Sequence, residues 1–159
     1  MTYKTKEITL KEIVNDKLEF LIPVYQRPYV WDEIEINKLL EDLEHNFKNN
    51  IEKKTNTNYF VGNTYVVKSH NPKTENLFEV IDGQQRFTTF WLISFCFKKI
   101  GINSDLSNYL EIVYDKSRKD IRFDFDIRKE VYEYLKGLLD GSSDRRFQDV
   151  SNFEFLKNI

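Results

Sequence analysis

Two stretches of this 159-residue chain gather the residue types that suit chemistry: "IPVYQRPYVWD", residues 22–32, and "EVIDGQQRFTTFWLISF", residues 79–95. In the second, an apolar strand-like run meets Asp82-Gly83-Gln84-Gln85-Arg86, and a strongly apolar segment follows. Asp82 and Gln85 have the Asp-x-x-Gln spacing of a helix capping box, which gives both a structural reading. That reading leaves Arg86 unexplained. A guanidinium in the first helical turn opposes the helix dipole, at a cost of about 0.3–1 kcal/mol, so it needs a compensating anion. A helix start also offers unpaired backbone N–H groups, and glycine at position 83 permits close approach of a ligand. Amide donors, a guanidinium and a strand–loop–helix turn together suit a phosphate group. The alternative is an internal salt bridge from Arg86 to a carboxylate. No GxxxxGK[ST] pattern occurs, so the turn is not a P-loop.

In the first stretch, Gln26 and Arg27 stand between Pro23 and Pro28 in a stiff extended segment, with Tyr25, Tyr29 and Trp31 around them. Rigid backbone, donors and aromatic faces suit a nucleotide, with Arg27 for phosphate and a ring for the base. The competing reading places the aromatic rings in the core and the prolines in an ordinary loop.

The elements that must position these residues are of both kinds. "TLKEIVND" predicts a short helix. Asp32 opens a second, with Glu35 at capping-box spacing and Ile36, Leu39, Leu40, Leu43 and Phe47 on one face. "YFVGNTYVVKS" reads as a strand in which Gly62 marks a bulge or a close approach, and "LFEVI" as a strand antiparallel to it. A helix runs from about Gln84 to Lys99 and stops near Gly101. Further on, "YLEIVY" and "IRFDF" are expected as strands. "DIRKEVYEYLKGLLDG" is expected as a helix with Ile127, Val131, Tyr134, Leu135 and Leu138 on one face and Gly141 at its stop. The whole, residues 1–159, reads as one domain with its core at about 8–140. Residues 141–159 start a further amphipathic helical pattern, as in a fragment of a longer chain.

Composition bounds the function. The chain is 40% hydrophobic and 15% aromatic, which excludes a disordered segment. A formal net charge of −2 gives no global basic field, so any nucleic-acid contact must be local or indirect. The single cysteine, Cys96, excludes an internal disulfide and is expected as a buried structural thiol. His45 and His70 are far apart, without CxxC or HExxH spacing, so a zinc site is not expected. No apolar run approaches a membrane span and the N-terminus does not read as a signal peptide, so the chain reads as soluble and cytoplasmic.

With these residues on the page, "IPVYQRPYVWD", "INKLLEDL", "YFVGNTYVV" and "FEVIDGQQRFTTFWLI" follow the order and spacing of the N-terminal domain of GmrSD-type, modification-dependent restriction systems, over roughly Leu10 to Phe97. DGQQR followed by Thr88-Thr89 is the strongest motif. That domain is similar to the ParB/sulfiredoxin-like fold, so the resemblance implies an α+β fold: a small mixed sheet flanked by helices, with the site at the strand-to-helix turn. It implies nucleotide binding and hydrolysis coupled to foreign or modified DNA. Asp82 then becomes a candidate Mg²⁺ ligand or water-orienting carboxylate. Gly83, Gln84, Gln85 and Arg86 become a phosphate cradle. Arg27 becomes a second phosphate contact, oriented by Gln26. Cleavage in fused members resembles HNH chemistry in a separate C-terminal domain, a region this chain does not contain. A DNA partner would therefore be reached through that domain or a partner subunit. The alternative is a non-catalytic DNA- or protein-binding sensor with the same fold.

Overall fold

A computed structural model describes residues 4–70, 75–102, 105–114 and 119–142. The chain first closes a short helix, α1 (Leu10–Asn15), in which the Glu12 N–H donates to the Thr9 hydroxyl at 3.2 Å and the Thr9 N–H donates to the Glu12 carboxylate at 2.7 Å. This Thr-x-x-Glu box satisfies two donors that a helix start leaves open. Strand β1 (Glu19–Ile22) buries Phe20 and Ile22 and runs into Pro23, which cannot continue a ladder. Helix α2 (Glu33–Lys53) opens on the expected box of Asp32 and Glu35. Of its expected core face, Leu39 is buried and Leu43 packs against the core, whereas Leu40 and Phe47 are exposed. The packed stripe ends at Leu43, and Phe47, one turn on, stands in solvent.

Strand β2 (Tyr65–Lys68) pairs antiparallel with β3 (Leu77–Asp82), as the sequence predicts. Gly62 precedes β2 rather than sitting in a longer strand, and the ladder shifts register between Tyr65 and Val66. β3 lies beside β1 in parallel, and β1 lies beside β6 (Phe123–Phe125), also in parallel, so the sheet order is β2-β3-β1-β6. The result is a mixed α+β domain: a small mixed sheet flanked by helices. Phe20 and Phe123 face one another across the β1–β6 ladder with ring centroids 5.9 Å apart, and Phe87 stacks on Phe20 at 4.4 Å.

Helix α3 (Gln84–Lys99) has the predicted bounds. Its core face carries Trp91, fully buried, whose indole N–H donates to Leu110 O at 3.0 Å. Cys96 is exposed, which corrects the expectation of a buried thiol. Ser94 is on the buried face, and two residues on, at about 100° each, the chain has turned to the opposite side.

Two of the expected strands are divided. In "YLEIVY" the first two residues end a helical turn, α4 (Ser107–Leu110), and only β4 (Glu111–Val113) is strand. "IRFDF" splits between β5 (Lys119–Ile121), which pairs with β4 as a separate two-stranded sheet, and β6. Arg122 marks the break because its side chain is buried, not turned to solvent. Helix α5 (Lys129–Asp140) buries Val131 and Leu135 as expected, and Gly141, at φ 77°, ends it. Ile127 precedes the helix and is exposed. The expected helical region at 141–159 lies, from residue 143, outside the described residues.

Candidate functional site

Because β1, β3 and β6 are parallel, all three end at one rim of the sheet. β1 leads into residues 23–31 with Gln26 and Arg27, β3 into Gly83 and Arg86, and β6 into residues 126–128 with Arg128. The carboxyl ends of parallel strands are where open sheets of this kind hold ligands, since the loops there converge without blocking one another.

The two sequence motifs form one built unit. Two prolines deprive residues 23–31 of N–H donors, so the segment cannot hold itself by a ladder. Three glutamine amides, each with a donor and an acceptor, hold it instead. Gln26 Nε2 donates to Ile81 O at 2.7 Å and Val80 O at 3.2 Å, fixing the segment to the end of β3. Gln84 Nε2 donates to Arg27 O. Gln85 Nε2 donates to Pro28 O at 2.9 Å, while its Oε1 accepts from Val30 N at 2.8 Å and, at longer range, Trp31 N at 3.4 Å. Behind them, the Tyr29 hydroxyl meets Thr89 Oγ1 at 2.9 Å, and Thr89 donates to Gln85 O at 2.8 Å. Burial pushes the Tyr29 phenol above its ordinary pKa. Gln84, Gln85, Thr88 and Thr89 are all buried.

This arrangement settles several sequence alternatives. Tyr29 belongs to the core and Trp31 packs against it, while Tyr25 is 61% exposed and leaves one ring open at the rim. The Asp82–Gln85 capping box does not form. Asp82 is still in β3, the cap is Gly83 without a side-chain hydrogen bond, and Gln85 is turned inward to the loop. Asp82 Oδ1 instead accepts from the next N–H, Gly83, at 2.8 Å. Gly83 has φ 99°, and a Cβ there would stand 2.6 Å from Thr64 Oγ1, so only glycine makes this turn.

Arg86 Nη1 donates to Asn63 O at 2.7 Å, and its guanidinium lies against Gly62, whose Cβ would be 3.1 Å from Arg86 Cζ. Among the described residues no carboxylate pairs with Arg86, so the salt-bridge alternative is not met. The exposed Arg27 side chain has no hydrogen bond or ion pair among the described residues. The structure thus brings Arg27, Arg86, Gly83 and Asp82 to one rim. It turns the side chains of Gln84 and Gln85 away from that rim as supports, leaving their backbone N–H groups at the start of α3. Sequence reasoning passed over Arg128, whose Nη2 donates to Gln26 O at 2.9 Å. Its one signal, a place just past a strand, carries meaning only once the strand is known to be parallel to β1.

Asp82 is exposed, and among the described residues no group of three or more metal-ligating side chains exists. One carboxylate fits Mg²⁺ that arrives with phosphate oxygens, since Mg²⁺ keeps several waters and takes one or two protein carboxylates. Beside Arg128, Ile22, Pro23, Phe125 and Ile127 line only a shallow depression that encloses no space for a ligand, so the rim is open there. Among the described residues, no helix is long and apolar enough to cross a membrane.

No curated protein matches this chain. A family model described as the GmrSD restriction endonuclease, N-terminal domain, matches residues 10–158, a span that contains both motifs, the whole sheet and every side chain at the rim. The chain belongs to the family of GmrSD restriction endonuclease N-terminal domains.

Proposed function

We propose that this domain binds a nucleoside triphosphate with Mg²⁺ across the rim and hydrolyses it, within a restriction system directed at foreign or modified DNA. The observation that carries the reading is the pair Arg27 and Arg86: two guanidiniums without a carboxylate partner among the described residues, Arg86 at the start of a buried helix and Arg27 on a loop that three glutamines hold in place. Preorganised cations stabilise the charge that develops on a transferring phosphoryl group. Arg86 and the first amides of α3 hold the phosphates, with Gly83 leaving the turn open. Arg27 neutralises charge as the bond from the γ-phosphorus to the nucleoside diphosphate breaks and the water oxygen bonds to phosphorus. Asp82 orients that water or would hold Mg²⁺, which when bound would draw charge from the phosphate oxygens. Gln26, Gln84 and Gln85 act on the ligand through the loop they fix. DNA is reached through a C-terminal HNH-type domain or a partner subunit, in a cytoplasmic setting.

A second reading, a non-catalytic DNA- or protein-binding sensor, is favoured by Asp82 being the only carboxylate in the DGQQR turn. Two variants separate the readings. Arg27→Ala is expected to weaken titrated nucleotide about tenfold or more, the scale of a lost charge-assisted contact. Its apo melting temperature should stay near that of wild type, because the Arg27 side chain has no hydrogen bond or ion pair among the described residues; a large apo loss would sink the role. Asp82→Asn keeps an acceptor for Gly83 N–H and so should keep fold and binding. Phosphate release, measured with the natural partner, should drop tenfold for each 1.4 kcal/mol or so of lost transition-state stabilisation. Wild-type turnover from Asp82→Asn would leave that carboxylate a turn residue and favour the sensor.

A further inference from the structure

The β6–α5 turn reaches the same rim as the two motif loops, and it carries a third guanidinium. Arg128 is half-buried and opens α5. Desolvation and the helix dipole both disfavour a cation there. Asp124, the carboxylate four residues before it, is taken by Lys129 at 2.9 Å. Among the described residues Arg128 has no ion pair, and only one of its five N–H donors is engaged, on Gln26 O. That carbonyl belongs to the peptide immediately before Arg27, and Gln84 holds the carbonyl immediately after it. Arg27 is therefore gripped on both sides, and one of the two grips is itself a cation at the rim.

We propose that Arg128 is the third cation of the phosphate site: it fixes the Gln26–Arg27 peptide and turns its remaining N–H groups to the phosphate chain of the bound nucleotide. The proposal rests on the nucleotide reading above and adds a preference to it. Arg27, Arg86 and Arg128 together match the charge of a triphosphate better than that of a monophosphate, so losing Arg128 penalises the triphosphate more.

The test uses the full chain, titrated with ATP, GTP and CTP in the presence of Mg²⁺ and then with the monophosphate of whichever binds best. Arg128→Gln removes the charge, and its amide ends two bonds short of the Nη2 position, so it also gives up the bond to Gln26 O; Arg128→Lys keeps the charge and nearly the reach. Arg128→Gln is expected to bind the triphosphate about tenfold or more weakly, with a smaller loss for the monophosphate and most of the affinity restored in Arg128→Lys. Equal affinity of wild type and Arg128→Gln for the triphosphate would overturn the phosphate contact. Amide exchange of Gln26 and Val30, whose N–H groups donate to Pro23 O and Gln85 Oε1, is read without nucleotide. It should quicken in Arg128→Ala and Arg128→Gln and stay nearer wild type in Arg128→Lys, and unchanged exchange in Arg128→Ala would overturn the grip. If wild type binds none of the three triphosphates, the nucleotide reading itself fails, while the exchange arm still decides the grip. Should Arg128→Ala not fold, Arg128→Gln carries both measurements, with unchanged exchange overturning the grip.

Discussion

Arg122→Met is expected to destabilise the protein by about 3–5 kcal/mol, a large part of the stability of a domain this size. Arg122 is 2% exposed. Its Nε donates to Tyr109 O at 3.1 Å, Nη1 to Leu18 O at 2.6 Å and Ile13 O at 3.3 Å, and Nη2 to Asn108 O and Glu111 O, each at 3.1 Å. One side chain thus ties the end of α1, the start of β1, α4 and β4 together. Its guanidinium also lies 5.8 Å from the Tyr109 ring centroid. Burial lowers the Arg122 pKa, and the surrounding carbonyl dipoles take the place of water around the charge. Methionine matches the length of the stem and removes the donors, leaving several buried carbonyls without partners at about 1–3 kcal/mol for the worst placed. Lysine does not substitute, since three donors on a single nitrogen cannot span the fork that arginine presents. The check is the urea midpoint of Arg122→Met, with the slope held as a test of two-state behaviour. A loss below about 1 kcal/mol would show that these carbonyls find water instead.

Gln85→Leu is expected to cost about 2–4 kcal/mol and to loosen the loop that carries Arg27. Leucine is close in volume, so the packing is largely kept while three hydrogen bonds to Pro28, Val30 and Trp31 are lost. Gln85 is 6% exposed, so water does not readily replace it. Val30 loses its 2.8 Å partner and its amide should exchange faster, together with that of Trp31. Nucleotide affinity should fall alongside, although Gln85 Nε2 and Oε1 both face the loop and not the rim. Gln85→Glu keeps the acceptor for Val30 and places a carboxylate oxygen against Pro28 O, so it should be as costly or worse at neutral pH. Unchanged exchange at Val30 in Gln85→Leu would mean that Pro23, Pro28 and Gln26 hold the loop without help.

The elements nearest the site were the most legible. α3 and its bounds followed from a glycine, an apolar run and a terminal pair of lysines, and the β2–β3 hairpin from two alternating runs. The DGQQR and QRP motifs stood out in the sequence by their residue types. What the sequence hid was their use of one another. Glutamine side chains look like ligand donors when read in line, and only the fold puts Gln84 and Gln85 under Arg27 and Pro28. Parallel pairing was likewise hidden, because a strand of three residues such as β6 carries no sign of its direction, and Arg128 went unseen with it. Arg122 was hidden for a related reason: an arginine within an alternating run carries no sign that it is buried, and here it is 2% exposed.

The central claim is that Arg86 and its neighbours hold a nucleoside triphosphate. Its most direct test is thermal unfolding of wild type and Arg86→Ala, each with ATP, GTP or CTP and Mg²⁺. At about 100 times the dissociation constant, a ligand adds roughly 2.7 kcal/mol to the folded state, a rise of some 5–10 °C for a chain of this length. At least one triphosphate should raise the wild-type midpoint by that amount, and Arg86→Ala should fold and show no rise. No shift with any of the three in wild type, or an equal shift in Arg86→Ala, would contradict the account.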